Sequence, residues 1–379
     1  MKKVYVSCSS GPASCLFDFL SCLCSYDSYL CGYDSCLFSY KSRLFKLKSR
    51  LFASEACKVS SALLMLALMC AVPMQAQMNT NRSIAPSKAQ AKKMSILTDF
   101  TPSPSVNYFH DVVYAHESDM DLHLQILKPD TKAGAKLPCI IFIQGSAWFK
   151  QNCYGKVPIL SEFSKRGYVI ASVEYRPSTT ATYPAQIQDV KTAVRFMRKN
   201  AAKYNVDVDN LFVWGDSSGG NMSLLEALTQ DVPSLDTKDY GTESLAVNAC
   251  VAFYPVTDVL RMQEFAPNYM DHISANSPTG ILFGHIPVME NPDKVKTASP
   301  IIYVSKDKAA TTAPILIMTG NRDNVVPYEQ SVIMADKLEE CGYRYTFYKL
   351  EGADHGSWEF WTAKTLDLVD RFFKDNCKK

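Results

Sequence analysis

Ser217, Asp323 and His355 occur in that chain order, each just beyond an apolar run, and their types suit nucleophilic acyl transfer. A serine hydroxyl is a weak nucleophile until a base within hydrogen-bond reach takes its proton, and that base needs an orienting acid. Ser217 sits in Val213-Trp214-Gly215-Asp216-Ser217-Ser218-Gly219-Gly220, a Gly-x-Ser-x-Gly pattern. The apolar run Leu211 to Trp214 before it reads as a buried strand, and Asn221 to Thr229 after it reads as a helix. A serine on such a sharp strand-to-helix turn presents its hydroxyl above the sheet and aims the helix N-terminus at the reaction centre. Taken alone the pentapeptide is a weak signal, because glycine and serine are common in ordinary turns.

The partners strengthen it. His355 lies in Glu351-Gly352-Ala353-Asp354-His355-Gly356, a loop after the last expected strand, and it alone of the six histidines does so. Asp323 lies in Thr319-Gly320-Asn321-Arg322-Asp323-Asn324, after the strand before that. Both loops therefore open at the carboxyl edge of the sheet, as the Ser217 turn does. Asp354, Glu351 and Asp258 are rival acids at strand ends, with Asp323 preferred. Backbone N–H groups must meet the developing oxyanion. Ser218 is one candidate donor, and Gly145 and Ser146, in Gln144-Gly145-Ser146-Ala147-Trp148 after the third strand, are the others. Trp148, Asp216 and Trp358 are candidates to line the substrate pocket, and the tyrosines, Phe265 and Phe283 could add aromatic surface.

Strands and helices alternate to position these groups. Val112 to His116 and Leu122 to Leu127 read as antiparallel edge strands. Central strands are expected at Cys139–Ile143, Tyr168–Val173, Ala249–Phe253, Ile315–Thr319 and Tyr345–Leu350. Helices are expected at Pro158–Arg166, Pro184–Lys203, Glu329–Cys341 and Trp358–Phe373. Such alternation predicts an α/β fold with a mostly parallel central sheet covered on both faces. Pro255 to Thr312 breaks the pattern and reads as a short lid-like, substrate-shaping insert.

The composition, 47% hydrophobic and 21% charged over 379 residues, is that of a globular protein. A net charge of +2 gives no reason to expect a nucleic-acid partner. Residues 58–77 carry a short apolar run after Lys58 and end near Ala76, which predicts a secretory signal peptide and a secreted or periplasmic protein. The run is too short for a stable membrane span. A lipoprotein reading through Cys70 is weaker, because bulky Met69 precedes it. Residues 1–57 are rich in Cys and Ser without a metal-site spacing, and read as disordered or not normally translated. Residues 78–105 read as a linker and 106–379 as the catalytic domain. Five cysteines in the latter allow one disulfide without identifying it.

The span from Val112 to Phe373 resembles the α/β-hydrolase esterases, most closely the hormone-sensitive-lipase-like group with the acetylxylan/feruloyl esterases (BD-FAE type). The resemblance rests on Glu174-Tyr175-Arg176, Tyr183-Pro184-Ala185-Gln186-Ile187-Gln188-Asp189-Val190, Trp214-Gly215-Asp216-Ser217-Ser218-Gly219-Gly220, Ala298-Ser299-Pro300, Asp323 with Val326-Pro327, and Gly352 with His355-Gly356. It implies the α/β-hydrolase fold and the triad Ser217, Asp323 and His355. It also implies a serine carboxylesterase that removes acyl groups, such as acetyl or feruloyl, from a small-molecule or polysaccharide ester, with no cofactor and no metal. One departure stands out. The family usually has His-Gly-Gly-x-Trp where this chain has Gln144-Gly145-Ser146-Ala147-Trp148. Gln144 could brace the loop through its amide, and a left-handed backbone at Ser146 would be strained by its Cβ. A prolyl-oligopeptidase-like serine peptidase shares the fold and triad order, but usually carries a propeller for which this sequence has no space. A non-catalytic protein that kept the fold is the remaining alternative.

Overall fold

The computed structural model describes Ser95 and residues 103–131, 134–267 and 269–378. The expected signal peptide, the 1–57 prefix and most of the linker lie outside these residues. Apart from Ser95, the described residues belong to one unit, Asp99–Lys379.

The chain enters through an antiparallel hairpin, β1 (Val106–Glu117) and β2 (Met120–Pro129). Ser118 and Asp119 join the strands with φ of 53° and 57°. Two left-handed residues make the tight turn whose twist matches that of the strands. The strands β3 (Leu137–Ile143), β4 (Val169–Val173), β5 (Val206–Asp216), β6 (Ala249–Phe253), β7 (Ile315–Gly320) and β8 (Tyr345–Leu350) are parallel wherever they pair with one another. The order across the sheet is β1-β2-β4-β3-β5-β6-β7-β8, with β2 antiparallel to β4.

The central strands are buried on both faces, which explains their unbroken apolar sequences. Along β3, Cys139 and Ile141 enter one core, while Ile140 and Phe142 enter the other. Helices α1 (Val157–Ser164) and α5 (Ala363–Asp375) close one face through Leu160, Phe163, Val369 and Phe373. Helices α2 (Ala185–Lys199), α3 (Ser218–Leu228) and α4 (Tyr328–Cys341) close the other through Val194, Leu224, Met334 and Leu338.

One expectation needs correction. The last helix starts at Ala363, not Trp358, because extended Thr362 caps it by accepting the Thr365 N–H, and Trp358–Trp361 form a separate 3₁₀ turn. The insert expected after β6 is built of short helical turns. Val259, Met262, Leu282, Val288 and Val295 pack with Trp148, Tyr175 and Met222 into a third apolar core. Among the described residues Cys139, Cys153, Cys250, Cys341 and Cys377 are free thiols, so the disulfide that the sequence allowed is not formed there. No helix among the described residues is long and apolar enough to cross a membrane.

Candidate active site

Ser217 follows β5 directly and caps the start of α3 with φ 54° and ψ −124°. A non-glycine residue held at positive φ is strained, and the surroundings must enforce it. Two close approaches do so here. A Cβ on Gly219 would meet the Ile143 carbonyl oxygen at 1.9 Å, and one on Gly215 would meet that of Gly219 at 2.2 Å. Strand β3 and the turn can therefore touch only because both flanking residues lack side chains. The Ser217 N–H donates to the Phe253 carbonyl on β6 at 2.9 Å, which ties the turn to the next strand.

The loops after β7 and β8 bring the partners to this point. His355 Nε2 lies 3.0 Å from Ser217 Oγ, and His355 Nδ1 lies 2.8 Å from Asp323 Oδ2. An ionised carboxylate only accepts, so Nδ1 carries the proton and Nε2 is left to accept from the serine hydroxyl. The Asp323 side chain is fully enclosed, and its other oxygen accepts the N–H groups of Val325 at 2.9 Å and Val326 at 2.8 Å. The rival acids face elsewhere. Asp354 accepts the His355 backbone N–H and both Asn324 donors. Glu351 pairs with Lys349 and Asn321. Asp258 accepts the Leu260 N–H.

The oxyanion loop differs in detail from the sequence expectation. The Gly145 N–H donates to Asp216 Oδ1 at 2.7 Å, and the Ser146 N–H donates to Ser218 Oγ at 3.0 Å. Both candidates are thus already bonded within the protein. Among the described residues the Ala147 N–H has no protein acceptor. The Ser218 N–H opens α3 and has none within the helix. The sequence does not single out Ala147, because the glycines of the family pattern fall at the two positions before it. The left-handed backbone falls on Ala147 (φ 53°) and Trp148 (φ 61°), not on Ser146. The Phe149 N–H closes the turn on the Ser146 carbonyl at 3.0 Å.

Ser146 is a brace. Its hydroxyl donates to the Phe149 carbonyl at 2.6 Å and lies 2.8 Å from the Tyr175 hydroxyl. Burial pushes the Tyr175 phenol up to about 12, so it stays neutral and can donate to the Gln144 carbonyl at 3.1 Å. Gln144 therefore braces the loop through its backbone, while its side-chain Oε1 is buried without a partner among the described residues. The Gln151 amide completes the frame, donating to the Phe149 carbonyl at 2.6 Å and accepting the Tyr175 N–H at 3.0 Å.

The candidate pocket residues separate. Trp148 is only 3% exposed and belongs to the third core, so it is a wall and not a contact surface. Phe283 is buried against Tyr183, with ring centroids 5.3 Å apart. Asp216 is buried too, its carboxylate taken by Gly145 and by the Tyr254 hydroxyl at 3.0 Å. Trp358, three residues beyond His355, is 73% exposed and remains available to a ligand.

Known proteins share this arrangement of elements. A structure described as a truncated form of a carbohydrate esterase from gut microbiota is 33% identical, with TM-score 0.63, covering 72% of this chain and 97% of that one. A bifunctional GH43-CE protein from Bacteroides eggerthii is 29% identical, with TM-score 0.63, covering 72% of this chain and 38% of its own. Esterase LipQ of Mycobacterium tuberculosis is 30% identical over 236 residues, which are 60% of this chain and 52% of LipQ. The chain spans about half the length of the curated relatives it matches. The BD-FAE family profile matches residues 124–338, more than half of the chain. With its mainly parallel sheet and esterase-like neighbours, the chain has the α/β-hydrolase fold and belongs to the BD-FAE family.

Proposed function

We propose that the protein is a serine carboxylesterase that removes acyl groups from carbohydrate. The observation that carries this reading is the unbroken hydrogen-bond chain from Asp323 through His355 to Ser217. Ser217 attacks the ester carbonyl while His355 Nε2 takes its proton. Charge on the tetrahedral oxygen is met by the N–H groups of Ala147 and Ser218, helped by the N-terminus of α3. His355 then protonates the departing alkoxide, leaving an acyl-enzyme on Ser217. A water molecule, deprotonated by the same nitrogen, releases the acid. Asp323 holds the imidazole in the required tautomer throughout.

The carbohydrate preference is supported by the names of the two similar structures and by Trp358. An exposed indole three residues beyond the base offers a flat apolar surface to a sugar or aryl ring. Export through residues 58–77 would bring the enzyme to polymeric substrates. The test is to assay acetylated xylan, methyl ferulate and p-nitrophenyl acetate, beside Ser217→Ala. The reading expects Ser217-dependent release of acid from at least one carbohydrate ester. Turnover confined to peptide substrates, or none that depends on Ser217, would overturn it.

A further inference from the structure

Asp216, the last residue of β5, carries a charged side chain directly beside the nucleophile. Its carboxylate is 8% exposed and joins three parts of the fold. Oδ1 accepts the Gly145 N–H of the oxyanion loop at 2.7 Å, and Oδ2 accepts the hydroxyl of Tyr254, just after β6, at 3.0 Å. The Lys156 ammonium, at the start of α1, lies 4.0 Å from Oδ2. It also lies 4.0 Å from the centre of the Trp361 ring, in the segment that follows the His355 loop. Tyr254 reaches further. Its ring packs edge-on against the His355 imidazole with centroids 4.6 Å apart, and against Phe360 at 4.5 Å. Tyr254 also holds φ at 35°, a strained value for a side chain with a Cβ.

We infer that Lys156, Asp216 and Tyr254 form a positioning brace that keeps the oxyanion loop and the His355 imidazole in register with Ser217. This rests on the esterase reading above. The physical reason is the partial burial of an ion pair. A nearly enclosed carboxylate is costly unless it is paired and hydrogen-bonded. Lys156 supplies the counter-charge, and Gly145 and Tyr254 supply the bonds. Asp216 holds the Gly145 N–H, and this orients the following peptides, including the Ala147 N–H. The titratable groups facing Asp216 are Lys156, Tyr254 and Tyr175, with His355 beyond the Tyr254 ring and Asp323 also acting on that phenol. Burial holds the Lys156 ammonium below its usual range while Asp216 opposes that shift. The Tyr254 phenol is pushed well up by burial, so it remains a donor at any working pH.

The test uses the full chain with Lys156→Met, Lys156→Arg and Tyr254→Phe, the last keeping the ring and losing the hydroxyl. Both Lys156→Met and Tyr254→Phe are expected to lower kcat on p-nitrophenyl acetate by about tenfold to a hundredfold, with KM within about threefold. Lys156→Arg should restore most of the loss. In an Asp216→Asn background, Lys156→Met should lower kcat by less than about threefold further, because the cation acts through the carboxylate. Hydrogen exchange of a peptide spanning residues 144–148 should quicken in Lys156→Met and Tyr254→Phe. A lower melting temperature with kcat unchanged would overturn the brace, as would unchanged exchange at 144–148. A full Lys156→Met loss of kcat that persists with Asp216→Asn would also overturn it, since Lys156 would then act independently of Asp216. If the wild-type protein shows no Ser217-dependent turnover, the esterase reading fails, and the exchange measurement alone decides whether the brace holds the loop.

Discussion

His355 Nε2 and Ser217 Oγ lie 3.0 Å apart although 138 positions separate them in the chain. Two parallel strands, β7 and β8, lie beyond β6 on the same side of β5 and carry the base loop back over the turn that bears the serine. The contact is therefore a product of sheet order. It makes Ser217 and His355 one chemical unit, and substitutions of either should have similar, non-additive consequences.

The acid is the next element to test. Asp323→Asn preserves shape but no longer fixes the Nδ1 proton, and should lower kcat by close to 10⁴-fold, by analogy with other triads. Asp354→Asn should cost less than about tenfold, because Asp354 bonds Asn324 and a backbone N–H rather than the imidazole. Steady-state kinetics on p-nitrophenyl acetate check both. A larger effect at Asp354 would reassign the acid.

Ser146 replaces a glycine of the family pattern, and its hydroxyl bonds are the compensation. Ser146→Ala should lower stability by about 0.5–1.5 kcal/mol in urea unfolding, since a half-buried carbonyl and a buried phenol lose a partner. It should also lower kcat by roughly tenfold, as the turn at Ala147 and Trp148 loosens. Unchanged stability and rate would show that Phe149 and Tyr175 hold the loop without it.

A pH-dependent stability follows from α3. Glu226 is fully buried, and neither of its carboxylate oxygens has a partner among the described residues. Burial pushes its carboxyl above the ordinary range, and the nearby Lys191 ammonium only partly offsets this. The folded state then holds the proton where the unfolded state has lost it. Stability from this group is full below about pH 4.5, the unfolded value, and falls as pH rises toward and through the folded value. Glu226→Gln should therefore raise the melting temperature more at pH 8 than at pH 5. An equal gain at both, or a loss at pH 8, would contradict this.

Much of the fold was legible because its central strands are short apolar runs bounded by turn residues. Ala249–Phe253 and Tyr345–Leu350 match residue for residue. The first half of β5, Val206 to Asn210, was not legible, because its polar Val-Asp-Val-Asp-Asn reads as loop when no neighbour is known. In the site, Ser217, Asp323 and His355 could be read because each follows a strand in a fixed order. Ala147 could not, since its role depends on a pair of left-handed residues set by the 146–149 turn. Trp148 and Asp216 looked like pocket residues from proximity in sequence, whereas burial turns both into supports.

The most direct test of the account is to mix the full chain with p-nitrophenyl acetate in a rapid-quench experiment and weigh the quenched protein and its peptides. An acyl-enzyme on Ser217 predicts a burst of up to one p-nitrophenol per chain and one added acetyl group on the peptide containing Ser217, both lost in Ser217→Ala. Turnover without any acetyl adduct on Ser217, or an adduct and burst that survive in Ser217→Ala, would contradict it.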